Sequence, residues 1–493
     1  MLSGLLRRCG GRPGGRDWSR CWRRGLVAGQ PIHDTHPEVL AVGELAPGLG
    51  AWEFAQRRRR LAAKMPPRSV AVLSSTGESA MVGLKSPSRQ DSNFLYLTGV
   101  TQRAVAVIKQ LGSASKDPGD HFFALFVPAP SERDCWDGKR MDHRAAVECF
   151  GAHEAFPMAM LSHKLPQLVR DASAVLFDLD REPESRDLVA EVKAMLVARA
   201  LGQVEPLGPY VHALRWRKSP AEIQLLGRSA SLAASALRRC MEISRPGVAE
   251  ATLAATFEYL CKVGGAQNLA YPAIAASGPD CCAIHYSRND KTVRERDLIL
   301  MDAGCELFGY ASGVTRTWPA TGRFSGPQRD LYEVVRAVHR CCLLACQPGM
   351  SLMQMHHMSV QTLCEGLHSL GIGSASVSTL MKGAYKKFYP HMIGHYLGID
   401  VHDTTHVPWE SPLEPGVVLG LQPGLYIPDE DGFGAFRGLG VRIEDGVVVT
   451  EQGPRVLSGG APIEAEHIEA VVGWDVACDG DEDDFEELAI CGS

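Results

Sequence analysis

The sequence lacks three features that would each point to a class of function. No apolar run reaches the roughly 18–20 residues that a membrane span requires, because charged residues or glycines interrupt every candidate. The 15 cysteines include no CxxC pairs at zinc-ribbon spacing, so we expect reduced thiols. No basic stripe is present, since 51 basic residues face 57 acidic ones and the formal net charge is −6. Membrane insertion and nucleic-acid binding are therefore disfavoured, and a peptide or small molecule is the expected partner.

The first thirty residues contain no lysine and a single acidic residue, Asp17, but seven arginines interleaved with leucine and tryptophan. This composition is typical of a mitochondrial presequence. Glycines and Pro13 would interrupt the amphipathic helix of such a segment, so a disordered leader remains the alternative. We predict a leader over residues 1–34 and a mitochondrial location, with a cytoplasmic location otherwise.

The length of the chain predicts more than one domain, because 493 residues are too many for one compact core. Helical and strand-like stretches alternate over residues 35–208, which indicates an α/β domain. A second domain of the same α/β (α+β) class is predicted over residues 216–474. The acidic run over residues 475–493 is typical of a solvated, disordered end.

The first domain contains one clear helical stretch and four apolar strand-like runs. The helix is predicted over Glu53–Lys64. The strands are predicted at Val70–Leu73, Ala104–Ile108, Phe122–Val127 and Ala174–Phe177. The segment DSNFLYLTG, at 91–99, is short, aromatic and half-apolar, so we interpret it as a further core strand.

The second domain opens with a strong signal for a helix. Ser219 is a capping serine, Pro220 suits the first helical position, and Glu222 completes a capping box. The apolar residues that follow have helical spacing, as expected for a helix packed on a sheet: Ile223, Leu226, Ala230, Ala234, Leu237 and Met241. Two further helices are predicted over Pro327–Cys346 and Ser351–Leu370.

Three apolar strands of this domain are each followed by a polar side chain. These strands, with the residue after each, are Asp297–Met301 with Asp302, Gly416–Leu421 with Gln422, and Val441–Ile443 with Glu444. A turn is expected at Asp445-Gly446. Oxygen donors at strand ends can converge on a cation because a sheet holds them rigidly. The pattern therefore indicates an acidic metal centre.

From about Trp216 to Val449 the sequence resembles the aminopeptidase P (Xaa-Pro aminopeptidase) family. The motifs that carry the resemblance follow the family's order: IHY at 284–286, LMDAGCE at 300–306, TRTWPATGRF at 315–324, IGHYLGIDVHD at 393–403, QPGLYIP at 422–428 and RGLGVRIED at 437–445. The stretch THPEVLAVGELAPGLGAWEFAQRRRRL and the later NFLYLTG extend it across the first domain, closest to the family's mitochondrial members. The resemblance implies an aminopeptidase P amino-terminal domain, a pita-bread catalytic domain, peptide substrates with proline second, and a homodimer.

The family holds two divalent ions, manganese or a similar metal, through two aspartates, one histidine and two glutamates. By motif, three of these positions are intact in this sequence, as Asp302, His395 and Glu444. The second aspartate position holds Gly313, which offers no side-chain donor, and the first glutamate position holds Gln422, which keeps one neutral oxygen. Two carboxylates balance the charge of one divalent ion rather than two. We therefore predict at most one weakly held ion, bound by the three intact ligands and Gln422.

Four further positions that the resemblance implies for catalysis are intact. His285 and His402 match histidines that contact substrate and stabilise the reacting carbonyl, while Tyr426 and Arg442 flank the centre. The other histidines are interpreted as structural, with His391 the one that the cleft could include.

Two functions follow from these residues. One is a metallopeptidase that releases the residue preceding proline from the amino terminus of peptides. The other is a catalytically weak or inactive member, a pseudoenzyme that binds peptides or proteins through the retained fold, and Gly313 and Gln422 favour it. We predict slow cleavage of Xaa-Pro peptides. Glu306 and Asp403 lie outside the family's ligand positions, and we expect them to be solvated or to support other residues.

Overall fold

The computed structural model describes residues 26–75, 79–81, 84–86, 89–112, 117–132, 134–178, 188–199, 204–372 and 376–473. Most of the predicted leader, residues 1–25, and the predicted acidic tail lie outside the described residues. The chain divides into two compact units, Met1–Leu214 and Arg215–Ser493. Each unit contains both helices and strands, so the predicted α/β class is confirmed. No helix among the described residues is long and apolar enough to cross a membrane.

The amino-terminal unit is organised around one mixed sheet. Its elements in chain order are β1 (Glu44–Ala46), β2 (Leu49–Gly50), α1 (Ala51–Lys64), β3 (Val70–Ser74), β4 (Ser79–Met81), β5 (Leu84–Ser86), α2 (Ser92–Thr98), β6 (Val105–Gln110), β7 (His121–Val127), α3 (Asp134–Asp137), α4 (His143–Glu148), β8 (Glu154–Pro157), α5 (Leu161–Val169), β9 (Val175–Leu176), α6 (Leu188–Arg199), β10 (Val204–Glu205) and α7 (Gly208–Arg215). Six strands pair in the order β10-β9-β3-β6-β7-β8. The predicted helix and all four predicted strands are present, the last of them shortened to β9.

The segment DSNFLYLTG forms helix α2, so the prediction of a strand there is wrong. The Asp91 carboxylate accepts a hydrogen bond of 2.5 Å from the Phe94 backbone N–H and thereby caps the first turn. Gly99, with a φ of 69°, ends the helix in the left-handed conformation. Phe94 and Tyr96 are almost completely buried. The apolar content indicated burial correctly, whereas the two end residues determined the helical conformation.

The carboxy-terminal unit combines long helices with short antiparallel sheets. Its elements are α8 (Pro220–Glu242), α9 (Glu250–Val263), β11 (Asn268–Leu269), β12 (Ile274–Ser277), β13 (Leu298–Ala303), β14 (Cys305–Leu307), β15 (Tyr310–Ala311), β16 (Val314–Pro319), α10 (Gly326–Ala345), α11 (Leu352–Ser369), α12 (Val377–Met381), β17 (Gly394–Tyr396), β18 (Val418–Leu421), β19 (Gly424–Tyr426), β20 (Gly440–Arg442), β21 (Asp445–Thr450), β22 (Gly453–Val456) and α13 (Ala465–Val471). The strands pair as β12-β13-β16, β17-β18-β21-β22, β11-β14-β15 and β19-β20.

The three helices predicted in this unit are present: α8 begins where expected, and α10 and α11 begin and end within one residue of their expected bounds. Helix α8 begins with the predicted capping box, since the Ser219 side chain accepts from the Glu222 N–H and Glu222 binds back to the Ser219 N–H. Ala234, Leu237 and Met241 on its apolar side are buried in the core of the unit. This packing fixes the sheets on which the predicted metal ligands lie.

Two details of the strands differ from the prediction. Asp302 lies inside β13 rather than after its end. Asp445 and Gly446 do not form a turn, because they begin β21 and pair with Leu421 and Gly420 of β18. The Asp445 carboxylate needs no exposed turn, since it is buried and accepts hydrogen bonds from other side chains.

Candidate metal centre

The register of neighbouring strands brings the two acidic ligand candidates together. Asp302 in β13 lies opposite Thr315 in β16. Thr315 in turn forms a bridge with Glu444: the Glu444 N–H donates to the Thr315 carbonyl over 2.9 Å. The Thr315 hydroxyl also donates to Glu444 Oε2 over 3.0 Å. Residues that are 142 positions apart in the chain therefore meet at one place in the fold.

The Asp302 carboxylate is already bound by two protein donors. Arg442 Nη2 donates to Oδ2 over 2.8 Å, and the Tyr271 hydroxyl donates to Oδ1 over 2.6 Å. Burial raises the pKa of Asp302, and the Arg442 guanidinium offsets part of that rise. Burial also raises the pKa of Tyr271 well above its usual range, so its hydroxyl remains a donor.

His395 lies beside the second carboxylate. Its Nε2 is 3.5 Å from Glu444 Oε1, and its partner across β17 and β18 is Gly420. A Cβ atom on Gly420 would lie 2.6 Å from the imidazole ring, so a larger residue there would displace the ring. Burial opposes the charged form of both side chains, yet their interaction lowers the pKa of Glu444 and raises that of His395.

Gly313 borders one candidate ligand, Glu444, and Gln422 follows the strand that pairs with His395. A Cβ atom on buried Gly313 would be 2.8 Å from Glu444 Oε1 and 3.4 Å from the Tyr271 hydroxyl. A side chain at position 313 would therefore contact the Glu444 carboxylate. Gln422 is half-buried directly after β18, and its backbone N–H donates to the Ile393 carbonyl over 2.7 Å. Among the described residues, no group of three or more His, Cys, Asp or Glu side chains is arranged to hold a metal ion.

The two histidines expected to contact substrate are exposed and lie near the centre. The His402 ring centroid is 4.5 Å from that of His395. His285 follows Ile284, whose carbonyl accepts a hydrogen bond of 3.4 Å from Arg442. The structure therefore brings all the candidate site residues into one region of the carboxy-terminal unit.

Arg442 and Tyr426 belong to a hydrogen-bonded chain that also includes His391. The Tyr426 oxygen accepts from Arg442 Nη1 over 2.9 Å and lies 2.8 Å from His391 Nε2. Burial lowers the pKa of His391 to about 4, so the ring is neutral at pH 7. With Nδ1–H donating to the Met392 carbonyl, Nε2 accepts the Tyr426 hydroxyl proton. Arg442 thus connects His391 and Tyr426 to Asp302.

Sequence reasoning missed two side chains of this region and left two roles open for a third, Asp403. Tyr271 lies outside every motif, and nothing in its local pattern signals a contact with Asp302. Thr315 lies within a motif, but only the strand register shows that it binds Glu444. Asp403 is almost completely buried and forms ion pairs with Arg215 and Lys218, so it is not solvated.

A second buried cluster surrounds Asp445, the residue that follows Glu444. Asp445 pairs with Arg316 Nη2 over 2.7 Å and with His339 Nε2 over 3.0 Å, and it accepts from the Ser458 hydroxyl over 2.6 Å. Although burial opposes its charge, the Arg316 guanidinium holds the pKa of Asp445 far below its usual range. The ionised Asp445 therefore fixes the strand that follows Glu444.

Both units match known protein families. Residues 224–451 match the description Metallopeptidase family M24, and residues 54–177 match Aminopeptidase P, N-terminal domain. The chain is 38% identical to Xaa-Pro aminopeptidase 3 of Mus musculus, with 90% of each chain covered. It is 37% identical to intermediate cleaving peptidase 55, mitochondrial, of Arabidopsis thaliana, with 90% of this chain and 87% of the relative covered.

The fold agrees with these matches. The structure of Pseudomonas aeruginosa aminopeptidase PepP superposes with a TM-score of 0.80 and 35% identity, covering 87% of this chain and 99% of that one. The predicted pita-bread catalytic domain and preceding amino-terminal domain are therefore confirmed. On sequence, domain content and fold, the chain belongs to the aminopeptidase P family of metallopeptidases.

Proposed function

We propose that the chain is an Xaa-Pro aminopeptidase of reduced activity, which releases the residue preceding proline from the amino terminus of peptides. The observation that carries this proposal is the meeting of Asp302, His395 and Glu444 beside two exposed histidines. The family supplies the reaction class and the substrate class. The reduction in rate follows from the two substituted ligand positions.

The residues present do not fit a pair of divalent ions. Two such ions about 3.5 Å apart repel by roughly 20 kcal/mol at an effective dielectric of 20, and bridging carboxylates must offset that repulsion. Gly313 supplies no carboxylate, and Gln422 supplies only a neutral amide. Asp302 and Glu444 carry two negative charges, and their oxygens already accept hydrogen bonds from protein donors. We therefore propose at most one ion per chain.

Asp302, His395 and Glu444, all among the described residues, are not arranged as a metal-binding group in the structure. To hold a single ion, these three side chains and the amide oxygen of Gln422 would have to move together around it. When bound, manganese or another divalent cation would polarise the peptide carbonyl and activate water. Arg442 orients the Asp302 carboxylate through the hydrogen bond of 2.8 Å between them.

The exposed histidines would act on the peptide itself. His285 and His402 can each donate a ring N–H to the carbonyl oxygen of the bond being cleaved, which stabilises the negative charge that develops there. Arg442 binds Asp302 through Nη2 and Tyr426 through Nη1. Tyr426 and His391 therefore provide polar groups on the Nη1 side of the guanidinium. The proposed substrates are peptides whose second residue is proline. The proposed assembly of the chain is a homodimer.

We also propose that the chain functions in mitochondria. The arginine-rich, lysine-free start of the sequence suits a presequence. One of the relatives is named as a mitochondrial peptidase and covers 90% of this chain. Import of the full chain into isolated mitochondria, compared with a chain that starts at residue 35, tests this location.

Restoring the two missing ligands tests the proposed function. In Gly313→Asp/Gln422→Glu, the new aspartate needs Glu444 to rotate, because its Cβ would lie 2.8 Å from Glu444 Oε1. We expect bound manganese to rise from at most one to two ions per chain. Hydrolysis of the tripeptide Ala-Pro-Ala should rise by roughly 100-fold or more, as expected when a second ion stabilises the transition state. Metal analysis and a peptide assay measure both.

Two controls show whether the gain comes from the metal centre. Adding Asp302→Ala to the restored chain should abolish the gain, while Arg437→Met, which alters an exposed arginine, should leave it intact. If the restored chain binds two ions but remains inactive, the peptidase proposal fails. The remaining hypothesis is then a peptide-binding role without catalysis. Two ions in the unaltered chain would contradict the proposed stoichiometry.

A further inference from the structure

Each of the two exposed histidines precedes a buried polar residue. His285 is exposed, whereas Tyr286 after it is only 5% exposed. His402 is exposed, whereas Asp403 after it is 3% exposed. Two unrelated loops therefore combine a side chain that faces outward with an adjacent side chain held inside the protein.

The loop of His285 is held at three points by one buried carboxylate. Glu250, the first residue of α9, has no exposed surface. Its Oε1 accepts from the backbone N–H and the hydroxyl of Ser277, over 2.8 and 2.6 Å. Its Oε2 accepts from the Tyr286 hydroxyl over 2.7 Å and from the Lys291 N–H over 3.0 Å. Ser277 and Lys291 are the two ends of the segment that contains His285, so Glu250 fixes both ends and the middle.

The same loop is also bound to the metal centre. Arg442, which donates to Asp302, donates to the Ile284 carbonyl over 3.4 Å. The residues on both sides of His285 are therefore fixed, one by Arg442 and the other, Tyr286, by Glu250. An imidazole between two such anchors keeps a defined position even though its ring is exposed.

The loop of His402 is held by a buried group of charges. Asp403 Oδ2 accepts from Lys218 Nζ over 3.0 Å, and Oδ1 is paired with Arg215. These three side chains are only 1–2% exposed. Arg215 also pairs with Asp400 in the same loop over 2.7 Å. The loop is thus bound at two positions to residues that precede α8.

The backbone around Asp403 brings this group close to the centre. The Asp403 N–H donates to the carbonyl of Tyr396, the residue after His395, over 2.9 Å. A Cβ atom on Gly398 would collide with Asp403 Oδ2, so glycine is required for this approach. Thr404 has a φ of 48°, a conformation that non-glycine residues adopt only where the surroundings impose it.

We propose that Glu250 and Asp403 are positioning residues that fix the imidazoles of His285 and His402 for the peptide. Neither carboxylate needs to contact substrate, because Glu250 acts through Tyr286, which follows His285, and Asp403 acts through the backbone that it shares with His402. Displacing a catalytic group by about 1 Å can reduce the rate roughly 100-fold, so such anchors matter for turnover as well as for stability. The role of the imidazoles rests on the proposed function, whereas their fixed positions do not.

Histidine-selective NMR of the full chain at one pH tests the anchor of His285. Tyr286→Phe removes only the hydroxyl, which lies 2.7 Å from Glu250 Oε2 and 3.1 Å from Asp290 Oδ1. We expect the His285 ring resonance to move towards that of free histidine and to narrow, while the His402 resonance stays in place. The matched control is Tyr332→Phe, which removes another buried hydroxyl, donating to the Ile463 carbonyl over 2.7 Å, and should move neither resonance.

Asp403→Asn tests the second anchor by the same measurement. We expect the His402 resonance to move and that of His285 to remain. If this variant does not fold, Lys218→Gln weakens the same anchor while Arg215 still binds Asp403. A general loss of stability would move both resonances or neither. Either of those patterns would overturn the proposal.

The activity of the restored Gly313→Asp/Gln422→Glu chain provides a second readout. Adding Tyr286→Phe to it should lower kcat for Ala-Pro-Ala roughly tenfold or more, with KM changed less than about threefold, because orientation contributes mainly to the transition state. A change confined to KM would count against positioning. If the restored chain is inactive, the proposed function fails, and the resonances alone decide whether the histidines are positioned as inferred.

Discussion

At the residue scale, side chains of the protein itself bind the candidate ligands Asp302 and Glu444. The Arg442 guanidinium is nearly inaccessible and binds both the Asp302 carboxylate and the Tyr426 oxygen. A buried ion pair contributes little when compared with an apolar pair of similar shape, but removal of one partner leaves an uncompensated charge. Asp302 therefore depends on Arg442 whether or not a metal ion is present.

We predict that Arg442→Met lowers the free energy of unfolding by about 3–5 kcal/mol, the usual cost of breaking a buried pair from one side. Arg442→Met/Asp302→Asn should recover a large part of that loss, because the unpaired carboxylate is gone. Urea titration of the metal-free chain measures both changes. The control is Arg437→Met: Arg437 forms exposed ion pairs with Asp429 and Asp431, so we expect a loss below about 1 kcal/mol. Equal losses from the two arginines would contradict the argument.

At the element scale, single residues at the ends of segments decide between helix and strand. The aromatic segment at 91–99 has the composition of a core strand, and its side chains are buried as a strand's would be. Asp91 nevertheless starts a helix and Gly99 ends it. In α8 the same kind of signal predicts the helix correctly, because the Ser219 and Glu222 side chains form a complete capping box and Pro220 occupies the first turn.

We predict that Asp91→Ala destabilises the amino-terminal unit by about 1 kcal/mol, since the Phe94 N–H then loses its cap. Asp91→Ser should recover most of the loss, because a serine hydroxyl also accepts at this position. Asp34→Ala removes an exposed aspartate elsewhere in the unit and serves as the control. Thermal unfolding of the three variants checks the prediction. A loss in Asp91→Ser as large as in Asp91→Ala would show that capping is not the cause.

At the scale of the whole molecule, each unit has a hydrophobic core of its own. The core of the amino-terminal unit is formed by side chains of the six-stranded sheet with α5 and α6. The core of the carboxy-terminal unit runs from Trp216 to Val472 and contains the apolar sides of α8, α10 and α11. A unit that buries its own core can fold without the rest of the chain.

We predict that residues 215–473 fold when expressed alone. The fragment should unfold cooperatively and retain helical far-UV circular dichroism, because its helices and sheets pack on one another. A fragment of residues 250–473 lacks α8, whose Leu237 and Met241 belong to the core, and should lose cooperative unfolding. Non-cooperative unfolding of the longer fragment would contradict the prediction.

The sequence predicted the helices and most strands, because caps and periodicity are local properties that the chain carries wherever it folds. Motif order supplied the candidate ligands, whose role stays a prediction. Sequence reasoning failed at Asp91, where composition and cap disagreed, and at Asp445-Gly446, where a turn signal was overridden by pairing with β18. It left the role of Asp403 open between solvation and support of other residues, because the partners Arg215 and Lys218 are more than 180 residues away.

The sequence by itself determined which donors the centre can offer, since no fold can give Gly313 a carboxylate or Gln422 a negative charge. Only the tertiary structure decided what the remaining donors bind. Strand register placed Thr315 against Glu444, and packing placed Tyr271 and Arg442 against Asp302. The amino-acid sequence fixes the number of charged groups at the site. The partners of these groups depend on contacts between segments that are distant along the chain.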